Sequence, residues 1–276
     1  MDVFVFTDLS AFSKAVSPFL EAREAEYCLF FANLENPPPI VPFMAQVRRG
    51  DETVFAAFLH DVNLIVSRGP LEAVRAVADR LGDSGIALPG VVGPGEEAGA
   101  MADAWAKRRG CESFLEIDQG IYRITDVRKP LGIPGRMRPA VAGDKELLAD
   151  WIQGFRREMP PRDSGTRDAA VREAEKKVLS GAAFIWELEG TPVSMAALVR
   201  PARRGITVTW VYTPPEFRRR GYATALVAAV SQEGLLRGKE YCTLYTDLSN
   251  PTSNSIYRKI GYVRIGDSRN FRFRYA

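Results

Sequence analysis

TVTWVYTPPEFRRRGYATALVAAV, residues 207–230, is the stretch that decides how this chain reads. Its first part, within Ile206–Tyr212, is a run of β-branched and aromatic residues and predicts a strand. Thr213-Pro214-Pro215 ends that strand, because proline removes ladder donors and fixes φ. Arg218-Arg219-Arg220-Gly221-Tyr222-Ala223-Thr224 then leads directly into an apolar helix over Gly221–Arg237. A turn of this kind points several backbone N–H groups one way, at the positive end of a helix dipole, and so suits a phosphate or pyrophosphate. Gly221 permits close approach, small Ala223 avoids crowding, and Thr224 adds a hydroxyl. The segment is neither a G-K-[ST] loop nor G-x-G-x-x-G, and by itself it also reads as a charged turn before a surface helix.

A second segment, TDLSNPTSNSIYRKIGY (246–262), bears on the first. Asn250-Pro251-Thr252 has the signature of a capped helix start. Asn254 and Tyr257, three apart, share one face of that helix, and Gly261 ends it.

Working outward, Asp144–Phe155 and Thr166–Leu179 read as helices, and Ala183–Leu188, Pro192–Val199 and Ile206–Tyr212 as consecutive strands. Tyr241–Thr246 is a strand, Thr252–Ile260 a helix, and Tyr262–Ile265 and Phe271–Tyr275 are two closing strands. The order ααβββαβαβ is mixed α/β. Upstream, Leu9–Ala25 and Leu71–Leu81 read as helices, and Tyr27–Leu34, Phe43–Arg49, Thr53–Leu59 and Asn63–Ser67 as strands. Phe114–Ile124 is a long candidate strand. The two halves look like loose copies. The stretch Arg128–Pro139, with three prolines and two glycines, forms neither a helix nor a central strand and marks the boundary. The expected division is residues 1–127, a linker at 128–137, and 138–276.

Charge splits along the same line. Residues 1–135 carry 13 Lys+Arg against 19 Asp+Glu, and the remainder 24 against 15, within a net +3. A basic second half suits a polyanionic ligand. Three scattered cysteines and a lone His60 argue against a zinc site, a disulfide framework or a histidine triad, so no metal is expected. No apolar run reaches about 18 residues, and MDVFVFTDLS lacks a basic n-region; the expected location is cytoplasmic.

Strand–R-x-x-G-x-A–helix followed by N-x-x-x-N-x-x-Y-x-x-x-G-[FY] resembles the GNAT superfamily of acyl-CoA-dependent N-acetyltransferases over about residues 136–276. LPGVVGP (88–94), YRIT (122–125) and the two long strings resemble, more narrowly, bacterial tandem-GNAT proteins with a degenerate N-terminal copy. The resemblance implies two tandem GNAT-like α/β domains with mixed sheets. It implies acetyl-CoA as co-substrate of the second, a primary amine as acceptor, and a splay between the strands near Thr213 and Tyr241 that admits the pantetheine arm. Backbone groups of Val211, Tyr212 and Thr213 would line that arm, and Arg218, Arg219, Arg220, Gly221, Tyr222, Ala223 and Thr224 would take the pyrophosphate. Asn254 and Tyr257 would face the thioester, with Tyr257 protonating the leaving thiolate, and Asn250 would join the cofactor-binding residues. The strand before the loop has no carboxylate, so the base stays open among Glu158, Glu187 and Asp247, with Glu158 preferred. The turn Leu88–Gly95 reads as the first half's counterpart of the phosphate loop, with Pro89 and Pro94 where donors are wanted; that half reads as a non-catalytic scaffold. The protein is expected as a monomer or homodimer. A catalytically inactive CoA-binding protein and a nucleic-acid-binding module are the alternatives.

Overall fold

The computed structural model describes residues 1–60, 62–159 and 165–275. The chain forms two compact units. The first comprises Met1–Ile121, Asp247–Ser249 and Ile265–Ala276; the second comprises Tyr122–Thr246 and Asn250–Arg264.

The first unit runs β1 (Asp2–Phe6), α1 (Leu9–Glu21), α2 (Cys28–Glu35), β2 (Met44–Arg49), β3 (Glu52–Leu59), β4 (Leu64–Val66), α3 (Leu71–Gly82), β5 (Gly90–Gly93), α4 (Gly95–Arg109) and β6 (Glu112–Ile124). Strands β1 to β4 form an antiparallel meander, β4 pairs parallel with β5, and α3 is the crossover between them. The C-terminal strand β12 (Val263–Arg274) pairs antiparallel with β5 through residues 269–272. Helix α1 starts at Asp8, whose carboxylate accepts from the Ala11 N–H at 2.7 Å, and it buries Phe12, Val16 and Leu20 at the helical spacing.

Tyr27–Leu34 is not the strand its composition predicts; Cys28–Glu35 is helix. Burial decides against β-propensity here: Cys28 and Phe30 turn inward, with Phe30 against Phe12 and Phe58. A short apolar run carries no period that separates the two states.

The second unit repeats the same ten-element order. It runs β7 (Arg136–Pro139), α5 (Lys145–Glu158), α6 (Arg167–Leu179), β8 (Ala183–Leu188), β9 (Thr191–Val199), β10 (Gly205–Tyr212), α7 (Tyr222–Leu236), β11 (Tyr241–Asp247), α8 (Pro251–Ile260) and the start of β12, whose remainder from Ile265 belongs to the first unit. Strands β7 to β10 are again antiparallel and β11 again joins parallel to the last of them. The proline-rich stretch therefore contributes a short strand, β7, on β8 alone, where Pro139 has no second neighbour to supply. The expected pair of closing strands is one, because β12 runs unbroken.

This matched order relocates one sequence reading. The element that follows the last meander strand and opens the crossover helix is Thr213–Gly221 in the second unit and Ser67–Pro70 in the first. Leu88–Gly95 instead spans β5 and the start of α4, one strand later. Glycine and proline content misled the sequence comparison there, since turns of either kind carry both.

Candidate functional site

In the second unit, side chains alternate across the meander with the period of a strand. Phe184 and Trp186 of β8 face the core formed with α7, while Ala183 and Ile185 face the core formed with α5 and α6. Strand β10 begins in the same way, with Ile206 and Val208 on the α7 side. Then the alternation breaks. Trp210 has φ +55°, and the register steps from Thr209↔Ala197 to Tyr212↔Met195, so two residues oppose one. Trp210 consequently faces the α5–α6 side, and Val211 returns to the α7 side. A bulge costs strain at a tryptophan with positive φ and marks a place where a strand is re-aimed.

The parallel ladder between β10 and β11 runs from Gly205↔Tyr241 to Thr207↔Thr243. Its last rung carries a buried hydroxyl contact, Thr207 Oγ1 to Thr243 Oγ1 at 3.0 Å. Residues 208–212 of β10 continue beyond that rung. On the other edge, Ser194 on β9 donates its hydroxyl to the Tyr212 carbonyl at 2.9 Å and lies 2.9 Å from Thr213 Oγ1, which fixes how the strand leaves the sheet.

After a short 3₁₀ turn at Pro215–Phe217, Arg219 (φ +63°) and Gly221 (φ +84°) both take left-handed backbone. Gly221 is the N-cap of α7, and no side chain caps that helix. A Cβ on Gly221 would lie 2.8 Å from the Ile133 side chain, so both its φ and its neighbour call for glycine. Arg218, Arg219 and Arg220 are exposed, whereas Tyr222 is buried in the core and offers the turn only its backbone.

Arg218 is engaged within the protein. Its Nε donates to the Thr213 carbonyl at 2.8 Å, its Nη2 pairs with Glu158 Oε1 at 2.6 Å, and its guanidinium lies over the Tyr212 ring. The structure thus brings together two residues the sequence had assigned to different tasks. Tyr212 reaches α5 because Gly154 leaves room: a Cβ there would stand 2.5 Å from the tyrosine oxygen. Burial, then the nearby Glu158 charge, raises the Tyr212 pKa.

On α8, Asn250 serves as the cap, its Oδ1 accepting from the Ser253 N–H at 3.0 Å. Asn254 is buried. Its amide donates to the Asn250 carbonyl at 2.8 Å and its Oδ1 accepts from the Tyr122 hydroxyl at 3.3 Å. Tyr257 is buried one turn on, edge-to-face with Tyr262, whose hydroxyl lies 2.8 Å from Ser231 Oγ. Burial pushes the Tyr257 phenol up to about 12, against a smaller opposing pull from Ser253. It is a proton donor throughout the neutral range.

The other candidate bases are tied down. Glu187 is held below the usual carboxylate range, first by its hydrogen bond from Arg138 at 2.6 Å, with Arg136 adding to it. Asp247 accepts from the Ser249 N–H and hydroxyl at 2.8 and 2.7 Å.

Sequence reading missed Tyr122, Ser194 and the Trp210 bulge. Nothing in ITVTWVY signals a bulge, since it holds neither glycine nor proline. The register shift appears only against β9.

Residues 146–262 match the model of the acetyltransferase (GNAT) family, a span that contains the bulged strand, the arginine turn and α8. This stretch is similar to the GNAT family of acetyltransferases. No curated protein matches the chain at a significant level. Among solved structures, a Drosophila protein superposes with TM-score 0.69 at 14% identity, covering 99% of this chain and 98% of its own. A GCN5-related N-acetyltransferase from Sphaerobacter thermophilus gives 0.63 at 17%, covering 98% and 95%. A GNAT-family acetyltransferase from Colwellia psychrerythraea gives 0.60 at 10%, with each chain covered in full. At these identities the likeness is one of fold, and it extends beyond residues 146–262 to both units. Among the described residues, no helix is long and apolar enough to cross a membrane.

Proposed function

We propose that the GNAT domain binds acetyl-CoA and transfers its acetyl group to a primary amine by direct attack on the thioester. The observation that carries this is the uncapped N-terminus of α7, reached through left-handed Arg219 and Gly221 from a strand whose pairing with its parallel partner stops at Thr207↔Thr243 while both strands continue. The first-turn N–H groups between Arg219 and Thr224 would hold the pyrophosphate, with Arg219 and Arg220 adding charge. The pantetheine arm would lie along Val211, Tyr212 and Thr213, and a backbone N–H at the bulge would polarise the thioester carbonyl.

Tyr257 would protonate the departing thiolate, a task suited to a phenol raised to about 12 that keeps its proton. Asn254, oriented by Tyr122, would position the cofactor beside it. Glu158 would take the ammonium proton after release from Arg218, as the half-exposed carboxylate among the three candidates with the least constraint. Much of the acceleration would come from holding amine and thioester in register. Residues 1–127, ahead of a linker at 128–137, would be a degenerate, non-catalytic GNAT-like copy.

A second reading, a CoA-binding protein without catalysis, draws on the same ion pair: Glu158 is engaged as it stands. Thiol release from acetyl-CoA over a panel of primary amines separates the two. Amine-dependent release supports the transferase; CoA binding with no release for any amine supports the second reading.

A further inference from the structure

The loop Ser67–Pro70 holds in the first unit the place that Thr213–Gly221 holds in the second. Its backbone donors are consumed internally. The Arg68 N–H donates to the Tyr27 hydroxyl at 3.1 Å, the Gly69 N–H donates to Glu97 Oε1 at 3.1 Å, and Pro70, the N-cap of α3, has none to give. Gly69 is confined, since a Cβ there would stand 2.4 Å from the Val54 carbonyl oxygen. Arg68 pairs with Glu26 at 2.9 Å and with Asp267 at 3.4 Å.

Glu97 is the unusual member of this group. It is 6% exposed, and its Oε2 is buried without a hydrogen-bond partner among the described residues. A carboxylate oxygen buried without a partner forfeits the hydrogen bonds that water gave it in the unfolded chain, and that is costly. A purely structural acceptor for one N–H needs no charge. A carboxylate does fit where an anion is favoured: against a loop N–H before a helix start and near a guanidinium.

We propose that Glu97 is a built-in anion, occupying in the first unit the position that the cofactor's pyrophosphate takes in the second. The comparison with pyrophosphate rests on the reading given under Proposed function; the occupancy of the loop by Glu97 does not. The first unit's cradle is filled from within, and Tyr27 and Glu97 are the residues that fill it. The Arg68 and Gly69 N–H groups are thereby withheld from external phosphates, and Glu97 stabilises the fold in their place.

Chemical rescue tests this on the full chain, with no dependence on transferase activity. E97A removes a CH₂–COO⁻ group, which acetate restores. Thermal unfolding is followed for the wild type, E97A and E97Q in chloride, acetate and inorganic phosphate at equal ionic strength. E97A is expected to melt lower in chloride and to regain roughly 3 °C in acetate or phosphate. The wild type and E97Q, whose side chains fill the position, are expected to show no such rise. Equal melting of E97A in all three salts, or an equal rise in the wild type, overturns the proposal. Should E97A fail to fold in chloride, refolding is compared between chloride and acetate: folded protein in acetate alone supports the proposal, and failure in both overturns it.

Discussion

The loops before α3 and α7 occupy the same place in the two units and differ in almost every property that matters for an anion. The first is four residues with one arginine, a proline cap, and two N–H groups already bonded to Tyr27 and Glu97. The second is nine residues with three arginines, two left-handed positions and no side-chain cap. Topology alone therefore does not make a cofactor site. A shared scaffold supplies a helix start at the end of a strand, and the local donors decide whether that start is open or already satisfied.

The units also differ in what they bury. The second holds Cys242, pushed up to about 12 by burial, alongside Tyr257, at about 12, and Tyr262, raised well above its ordinary value mainly by burial. All three are neutral in folded and unfolded chains below about pH 8. Above the unfolded values of 9.0 and 10.0 the unfolded chain ionises first, so stability falls as pH rises toward 12. By pH 12 the loss is roughly 4 kcal/mol from the thiol and roughly 2 kcal/mol from Tyr257, comparable to the whole stability of many domains. Urea midpoints measured from pH 8 to 12 should fall steeply above pH 9. A flat profile would mean these groups are solvated.

Next in size is Tyr257→Phe, which should lower kcat on the order of 10²-fold while leaving acetyl-CoA affinity nearly unchanged. In the proposed reaction the phenol acts as the thiolate departs, so its loss belongs in kcat. Unchanged turnover with chemistry rate-limiting would reduce Tyr257 to a packing partner of Tyr262.

The smallest effects sharpen the contrast between the turns. Arg219→Ala and Arg220→Ala should each weaken CoA binding about threefold, more at low salt. Arg218→Ala should weaken it less, because that guanidinium already serves Glu158 and the Thr213 carbonyl. Titrations at two ionic strengths check the order; a dominant Arg218 would show that the ion pair breaks on binding.

Much of the second unit was legible from local signals. Proline pairs, the N-cap at Asn250 and the αL glycine at Gly261 are short-range devices, and the helices and strands around them appear within a residue or two of their sequence limits. Less legible was what depends on pairing between distant segments. The bulge at Trp210 exists only relative to β9, Tyr122 reaches Asn254 across 132 residues, and Glu97 meets Gly69 across 28. The counterpart of the arginine turn was misplaced for the same reason: strand order, not glycine content, defines it.

The account rests on one open turn and one closed one. Calorimetric titration of CoA into the full chain and into Gly221→Pro tests it most directly. Proline cannot adopt φ +84° and has no N–H to offer, so the variant should lose on the order of 10²-fold or more in affinity. The prediction is one equivalent of CoA per wild-type chain and no measurable binding to the variant. Two equivalents, or one that persists in Gly221→Pro, would contradict it.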